Sequence, residues 1–312
     1  MALPADRRVL PAFGGVVLLG GTNLVLVVYS TRELDPMWAA GLRFGGAALV
    51  AAAVTGAWGL PFPRGRSLVW SIAYGFLAFA LGFGLFYWGA QRVPAGVASV
   101  IMGSVPLLTL LLALVQRLER FRPRGLAGAL FAIAGIAVVS ARAPGGAVPL
   151  LPLLAVVGAA ATAAESAIVV RRISGVHPMV VNTVGLFAGA FALLGVSFVA
   201  GEAHAAPGSI GVGIAVVLMA LSTPFLFTMY VFVVQSWSAS AAAYQFVLFP
   251  LVSIVLAAIL LDEPVSSSLL LGAPLVLIGV YVGALSPDRG ADASVGTESA
   301  EAARAEVPLP PV

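Results

Sequence analysis

The sequence predicts an all-α membrane protein whose ten transmembrane helices form two inverted five-helix repeats. Three observations favour this fold: the composition, the length of the apolar runs and the similarity of the two halves. Of the 312 residues, 61% are hydrophobic and 9% are charged, against about 45–50% and about 25% in soluble chains. So few charges could not cover a soluble fold. The apolar runs last about 20 residues, as in membrane helices, whereas barrel strands alternate over about 10.

Ten segments are long and apolar enough to cross a bilayer, and short linkers separate them. The linkers at 60–63 and 143–146 are rich in proline and glycine, and such short connections make each helix antiparallel to the next. The first segment follows Arg7 and Arg8 but is too long for a signal peptide and lacks a clear cleavage site, so we expect it to be retained. In order, the spans are 9–29, 37–59, 67–90, 94–115, 122–141, 149–170, 178–200, 208–234, 239–261 and 266–286.

Arginine predicts the orientation, since the chain has no lysine. With the N-terminus inside, only Arg32, Arg92 and Arg142 fall in outer loops, whereas most of the others fall on inner segments. We therefore expect residues 1–8 and the tail 287–312 to be cytoplasmic, and the tail to be disordered because it has no apolar face. The expected location is the bacterial inner membrane.

The two halves of the chain resemble each other. A shift of 144 residues aligns Gln91 with Gln235, and a shift of 142 aligns Asp35-Pro36-Met37 with His177-Pro178-Met179. Each repeat, 9–141 and 149–286, holds five helices, so the second crosses the membrane in the opposite sense. Inverted repeats are typical of secondary transporters that work by alternating access.

A shared motif gives the repeat a family resemblance. Each half has the order Ala, Pro-Leu, Glu, Gly, Gly: first Ala95, Pro106-Leu107, Glu119, Gly128 and Gly135, then Ala239, Pro250-Leu251, Glu263, Gly272 and Gly279. This pattern resembles the EamA repeat of the drug/metabolite transporter superfamily, over about residues 9 to 286. Among its members the chain is most similar to YddG-type amino acid exporters. The resemblance implies a ten-helix exporter with a central cavity lined mainly by helices 1, 3, 4, 6, 8 and 9.

Three prolines lie inside predicted helices: Pro106, Pro224 and Pro250. A proline removes a backbone hydrogen bond and bends the axis, and Pro106 would free the carbonyl of Met102. We interpret the symmetric pair Pro106 and Pro250, together with Pro224, as helix hinges for gating; static kinks that improve packing are the alternative.

Charged and polar side chains within the spans are candidates for the substrate path, because each needs a partner, water or a purpose in the membrane. Glu165 could carry a coupling proton or bind a substrate amine, or its carboxylate could reach interfacial water. Arg43 could attract a substrate carboxylate, or tether helices through a carbonyl or Asp35. Asn23, the counterpart of Glu165, could bind substrate or bridge two helices.

Aromatic side chains form stripes on helices 3 and 8, represented by Phe79 and Phe83 and by Phe227 and Tyr230. They could line an apolar path or face lipid. The remaining candidates for the path are Ser99, Met102, Tyr244 and Gln245, on helices 4 and 9.

The composition excludes several other functions. The chain has no cysteine, and both histidines, His177 and His204, fall in loops, so we expect no metal and no cofactor. The arginines lie at helix ends rather than in one patch, so we expect no nucleic-acid partner. Without lysine there is no phosphate-binding loop for ATP. The leading hypothesis is export of small amphipathic metabolites, chiefly aromatic or other apolar amino acids. A drug or other metabolite exporter of the same fold and, more remotely, a lipid-modifying enzyme are alternatives, and monomer or homodimer is left open.

Overall fold

The computed structural model describes residues 9–116, 123–141, 147–237 and 239–282, and every regular element in these ranges is helical. The sequence predictions for residues 1–8, Glu119 and the tail 287–312 lie outside the described residues. In chain order the helices are α1 (Val9–Ser30), α2 (Pro36–Ala57), α3 (Arg66–Ala90), α4 (Ala95–Met102 and Val105–Val115), α5 (Pro123–Ala141), α6 (Leu150–Val170), α7 (Pro178–Ala200), α8 (Ile210–Ser236), α9 (Ala239–Leu260) and α10 (Ser267–Val280).

The described helices account for all ten predicted spans. Eight of them are long and apolar enough to cross a membrane, and α5 and α10 contain the shorter apolar stretches Leu130–Val139 and Ser267–Val280. Large apolar side chains such as Leu49, Phe191 and Val199 are exposed on the outside of the bundle, where hydrocarbon rather than water is the compatible solvent. The protein is a multi-pass, all-α membrane protein.

Two helices are not the regular α-helices that the sequence predicts. In α3 the segment Phe76–Gly82 is π-helical. In α4 the helix ends at Met102, the chain turns at Gly103 and Ser104, and a second segment starts at Val105. Pro106 has no N–H with which to bond the Met102 carbonyl, and at this proline, where the sequence predicts a bend, the span 94–115 is divided into two helical segments.

Close helix contacts repeat between the two halves, as an inverted repeat requires. A Cβ atom added to Gly135 of α5 would lie 2.7 Å from the Gly272 carbonyl oxygen of α10, and one added to Gly279 would lie 2.6 Å from the Gly128 carbonyl oxygen. The shift of 144 residues exchanges these two contacts. Helices α5 and α10 therefore meet along a seam of glycines that is symmetric about a two-fold axis.

Two carboxylates bind helix N-termini at one end of the bundle. This is the end where α1 stops and α2 begins, and we call it the outer side because the arginine distribution predicts that it faces outward. Glu202 accepts hydrogen bonds from the backbone N–H groups of Met37 (3.1 Å) and Trp38 (2.7 Å). Glu263 similarly accepts from the N–H groups of Ala95 (2.9 Å) and Gly96 (3.2 Å). A helix N-terminus has unbonded N–H groups and a partial positive charge, so each carboxylate joins one helix to the loop of another.

Candidate functional site

A cavity lies at the centre of the bundle, between the two halves. Its volume is about 80 Å³, room for roughly three water molecules at about 30 Å³ each. The lining residues come from α1, α3, α4, α6, α8 and α9, which are the helices that the family resemblance implies, and α2 adds Arg43. Most of the lining is apolar.

Six of the predicted site residues come together in this cavity, from five different helices. Asn23 and Arg43 supply polar atoms, and Phe83, Phe227 and Tyr230 supply aromatic rings. Met102 lines the cavity where α4 ends its first segment. The site is therefore assembled from side chains that are far apart in sequence.

Other predicted site residues lie outside the lining. Phe79 is fully buried behind it, with its ring centroid 4.8 Å from that of Phe227. Ser99 is buried and donates to the Gly96 carbonyl at 2.8 Å. Tyr244 is 37% exposed. Gln245 is buried, and neither atom of its side-chain amide has a hydrogen-bond partner.

Glu165 lies towards the opposite end of the bundle from Asn23. It is half-buried, and its carboxylate accepts a hydrogen bond of 2.6 Å from the amide of Gln116, just beyond the end of α4. It does not line the cavity. In this conformation the carboxylate joins α6 to the end of α4.

Arg43 is a buried cation without a carboxylate partner. Its side chain is 1% exposed, and its Nε donates to the Thr223 hydroxyl of α8 at 3.0 Å. The guanidinium carbon lies 4.9 Å from the ring centroids of both Phe44 and Phe83, within the range of cation–π attraction. Nη1 is buried without a hydrogen-bond partner. The tether that Arg43 makes is to Thr223, while Asp35 accepts from the Ala203 N–H instead.

Asn23 contacts α8 at Ser222, the residue before Thr223. Its Nδ2 donates to the Leu19 carbonyl at 2.7 Å and to the Ser222 hydroxyl at 3.3 Å. Its Oδ1 is buried without a partner. Ser222 and Thr223 are adjacent in α8, so this helix brings the side chains of α1 and α2 to the same level of the cavity.

The other polar side chains of the cavity are already hydrogen-bonded. Thr162 and Ser166 of α6 donate to carbonyls of their own helix at 2.8 Å. The Tyr74 hydroxyl donates to the Asn182 side chain at 3.4 Å. Among the described lining residues, Arg43 and Asn23 thus have buried polar atoms available to a ligand, and none of the lining residues is acidic.

Aromatic rings cover the rest of the lining. We call Phe83, Phe86, Phe227, Phe246 and Phe249 the aromatic wall. Sequence reasoning did not select Phe246 and Phe249 of α9, whose ring centroids are 4.9 Å apart. Both residues precede Pro250 by about one helical turn or less, and their closeness to this proline in the sequence could have indicated them as candidates for the lining.

The prolines have different local structures. Pro106 lies at the second position of the second segment of α4, after the break. Pro224 and Pro250 lie inside continuous helices, and Pro224 directly follows the Ser222–Thr223 pair. α10 contains a further internal proline, Pro274, which the sequence reasoning did not use.

No group of three or more His, Asp or Glu side chains that could hold a metal ion occurs in the described parts of the chain. The polar chemistry of the cavity instead consists of one guanidinium, one amide oxygen and several hydroxyl groups.

The sequence profile of the EamA-like transporter family matches the chain twice, at residues 9–141 and 150–284. Three relatives are each 26% identical to it. One is an uncharacterized transporter of Archaeoglobus fulgidus (85% of this chain and 95% of the relative covered), and one is the uncharacterized inner membrane transporter YedA of Escherichia coli K12 (80% and 83%). The third is a probable amino-acid metabolite efflux pump of Salmonella typhimurium (86% and 91%).

A solved crystal structure also has the same fold. It is 21% identical in sequence, has a TM-score of 0.65, and the alignment covers 89% of this chain and 98% of the other. At this identity the likeness shows the fold alone.

Proposed function

The chain belongs to the EamA-like transporter family, and from this we propose that it exports small amphipathic metabolites, above all α-amino acids with apolar side chains. As a family member it is a membrane transporter and not an enzyme. The observation that carries the substrate proposal is the central cavity, which combines an unpaired cation, an unpaired acceptor and an aromatic wall.

The chemistry of an amino acid fits this combination. A guanidinium is the side chain best suited to a carboxylate, and a free amide oxygen can accept from an ammonium group. Aromatic rings give an apolar side chain a place out of water. The Salmonella relative described as a probable amino-acid metabolite efflux pump supports the same substrate class.

We propose that transport follows alternating access, in which the two halves rock about the cavity. Pro106, Pro224 and Pro250 serve as hinges, since each lacks the backbone N–H of a regular turn in a helix that lines the cavity. The location is the bacterial inner membrane, where the Escherichia coli relative is described as a transporter.

Counterflow tests the substrate proposal. Purified protein in liposomes preloaded with unlabelled valine should accumulate labelled valine from outside, whereas protein-free liposomes should not. Valine is the test substrate because its side chain is small and apolar, like most of the lining. Absence of counterflow for valine, leucine and phenylalanine would contradict amino acid export. Counterflow of an apolar drug instead would favour the alternative, a drug exporter whose substrate binds the aromatic wall alone.

The same vesicles, with and without a pH gradient, test whether Glu165 carries a coupling proton. Because Glu165 lies outside the cavity and is bonded to Gln116, we expect Glu165→Gln to retain counterflow within about threefold, the effect of one exposed hydrogen bond. If a pH gradient drives wild-type uptake and the variant loses that response, Glu165 is the proton carrier.

A further inference from the structure

We infer that Arg43 binds the carboxylate of the substrate while Asn23 accepts from its ammonium group, and that Ser222 and Thr223 of α8 position both side chains. This inference rests on the proposed export of amino acids and narrows it: the substrate must carry an anionic group at the outer end of the cavity, with its side chain against the aromatic wall. The binding orientation is thereby fixed.

The hydrogen bonds of Arg43 leave one part of the guanidinium free. Nε is occupied by the Thr223 hydroxyl, and the Tyr87 hydroxyl also lies within hydrogen-bonding reach of the guanidinium, whereas Nη1 has no partner although the side chain is 1% exposed. The rings of Phe44 and Phe83 stabilise the cation but offer no acceptor for its N–H groups. A buried donor without an acceptor costs free energy, and a substrate carboxylate removes that cost.

The described cavity lining has no acidic side chain, so the positive charge of Arg43 favours an anionic ligand from outside the protein. A buried arginine that serves structure alone is normally paired with a carboxylate. No described lining residue is acidic, and Asp35, at the start of α2, accepts a hydrogen bond from the Ala203 N–H at 2.7 Å. The positive charge of Arg43 is therefore available to the ligand.

Asn23 supplies the complementary group. Its Nδ2 is occupied by Leu19 and Ser222, and this fixes the orientation of the amide, so that Oδ1 remains as a buried acceptor. Asn23 and Arg43 each lie seven residues from the outer end of their helix, at Ser30 and Pro36 respectively, or about 10 Å along the axis. The two side chains thus lie at a similar depth, contact the adjacent residues Ser222 and Thr223, and both line the cavity.

The contacts to α8 connect binding to the helix bend. Ser222 and Thr223 immediately precede Pro224, which prevents a regular backbone hydrogen bond at this turn. A ligand that pulls on Arg43 or Asn23 therefore acts on the residues next to the bend. Thr223 is a positioning residue, and Arg43 and Asn23 are the binding residues.

A matched pair of ligands tests the inference in wild-type protein. Valinamide has the same shape as valine and keeps the ammonium group, but it has no carboxylate. We expect unlabelled valine to compete with labelled valine in counterflow roughly 10- to 100-fold more strongly than valinamide does, the effect of losing hydrogen bonds between charged groups. Equal potency of the two compounds overturns the role of Arg43, whether or not any variant folds.

Variants then assign the preference to the residue. In Arg43→Gln the preference for valine over valinamide should fall to about threefold or less, and Arg43→Lys should restore part of it. Thr223→Val should weaken the preference without abolishing it. Arg92→Gln, which removes an arginine from an exposed outer loop, is the matched control and should retain the wild-type preference.

Failure of this inference can be distinguished from failure of the proposed function. If Arg43→Gln transports valine and still prefers valine over valinamide as the wild type does, the role of Arg43 is overturned, whereas the proposal of amino acid export is retained. If no amino acid is transported, thermal stabilisation by 3-methyl-2-oxobutanoate, the oxo acid analogue of valine, decides the question. Stabilisation of wild type but not of Arg43→Gln supports the carboxylate site, and equal or absent stabilisation overturns it.

Discussion

The guanidinium of Arg43 dominates the electrostatics of the cavity. A charge at the centre of a membrane helix costs about 2.5–3.5 kcal/mol on insertion scales. The two ring contacts, with Phe44 and Phe83, each contribute roughly 0.5–2 kcal/mol, and Thr223 supplies one hydrogen bond. These contributions offset much of the cost without neutralising the charge. The buried charge of Arg43 is therefore tolerated within the bundle, yet it can still attract an anion.

We expect the ring of Phe227 to limit the size of the substrate side chain. The ring lines the cavity and contacts that of Phe83 edge to face, with the two centroids 5.7 Å apart. In Phe227→Ala we expect counterflow of tryptophan to rise relative to that of valine by about 10-fold or more, because a pocket discriminates by 1–3 kcal/mol for even small changes in volume. Phe225→Ala removes an exposed ring from the same helix and should leave the ratio unchanged. An equal change in both variants would contradict this role.

Residue chemistry was easier to predict from sequence than the direction of each side chain. Arg43 and Asn23 stand out because polar groups are rare in the spans. For the rings, both lipid and cavity are apolar, so hydrophobic periodicity cannot tell which face of a helix turns inward. Within α3 the π-helical segment Phe76–Gly82 also changes the angle between successive turns. The sequence therefore grouped Phe79 with Phe83, although Phe79 lies behind the lining.

At the scale of the elements, α4 and α9 are equivalent in sequence but different in structure. Pro106 and Pro250 occupy corresponding positions, yet α4 breaks before its proline and α9 continues through it. The Gly103–Ser104 turn accounts for the difference, since Gly103 has low helix propensity and the Ser104 hydroxyl binds the Ile101 carbonyl at 2.6 Å. The sequence shows both prolines, but it does not show that the helix ends before Pro106 and continues through Pro250.

The hinge role of Pro106 predicts a change in rate rather than in affinity. Pro106→Ala restores an N–H that can bond the Met102 carbonyl and so favours a continuous α4. We expect the maximal rate of valine counterflow to fall several-fold while the concentration for half-maximal rate stays close to wild type. Pro274→Ala, in a helix that does not contribute to the described lining, is the control. Unchanged rates in Pro106→Ala would assign the break to static packing.

The glycine seam of α5 and α10 predicts a loss of stability on methyl addition. Gly135→Ala puts a Cβ 2.7 Å from backbone of α10, so the helices must separate, at a cost of about 1–3 kcal/mol. Gly45→Ala, where no atom lies within 4 Å of the new Cβ, should instead be neutral or stabilising. Thermal unfolding in detergent compares the two variants. Equal melting temperatures would show that the seam tolerates separation.

At the scale of the whole molecule, the two-fold arrangement gives one chain two similar but non-identical halves. Where α5 meets α10, the glycine contacts of the two halves are nearly the same. Near the axis the halves diverge: Asn23 of α1 corresponds to Glu165 of α6, and only Asn23 lines the cavity. The ten helices could be predicted from the apolar runs, and the repeat from the residues that a shift of 142 or 144 aligns. The asymmetry of the site depends on packing between distant helices and could not.

The predicted orientation can be tested with single cysteines, because the natural chain has none. Ala206→Cys lies in the exposed loop between α7 and α8, and Ser174→Cys in the exposed loop between α6 and α7. If the termini are cytoplasmic, a membrane-impermeant maleimide should label Ala206→Cys in intact cells and Ser174→Cys only after permeabilisation. The reverse pattern would invert the orientation derived from the arginines.

The π-helical segment of α3 has a consequence for insertions and deletions. A π turn holds more residues than an α turn, so Phe76–Gly82 contains slack that an α-helix lacks. Deleting one residue here can be absorbed by a return to α geometry, which leaves the residues beyond it facing as before, whereas a deletion in the regular α-helical part of α3 rotates one side of the helix against the other by about 100°. Phe83 and Phe86 would therefore stay in the cavity lining after the first deletion and turn away from it after the second. The π-helical segment is thus the part of α3 where the chain length can change by one residue without loss of the aromatic wall.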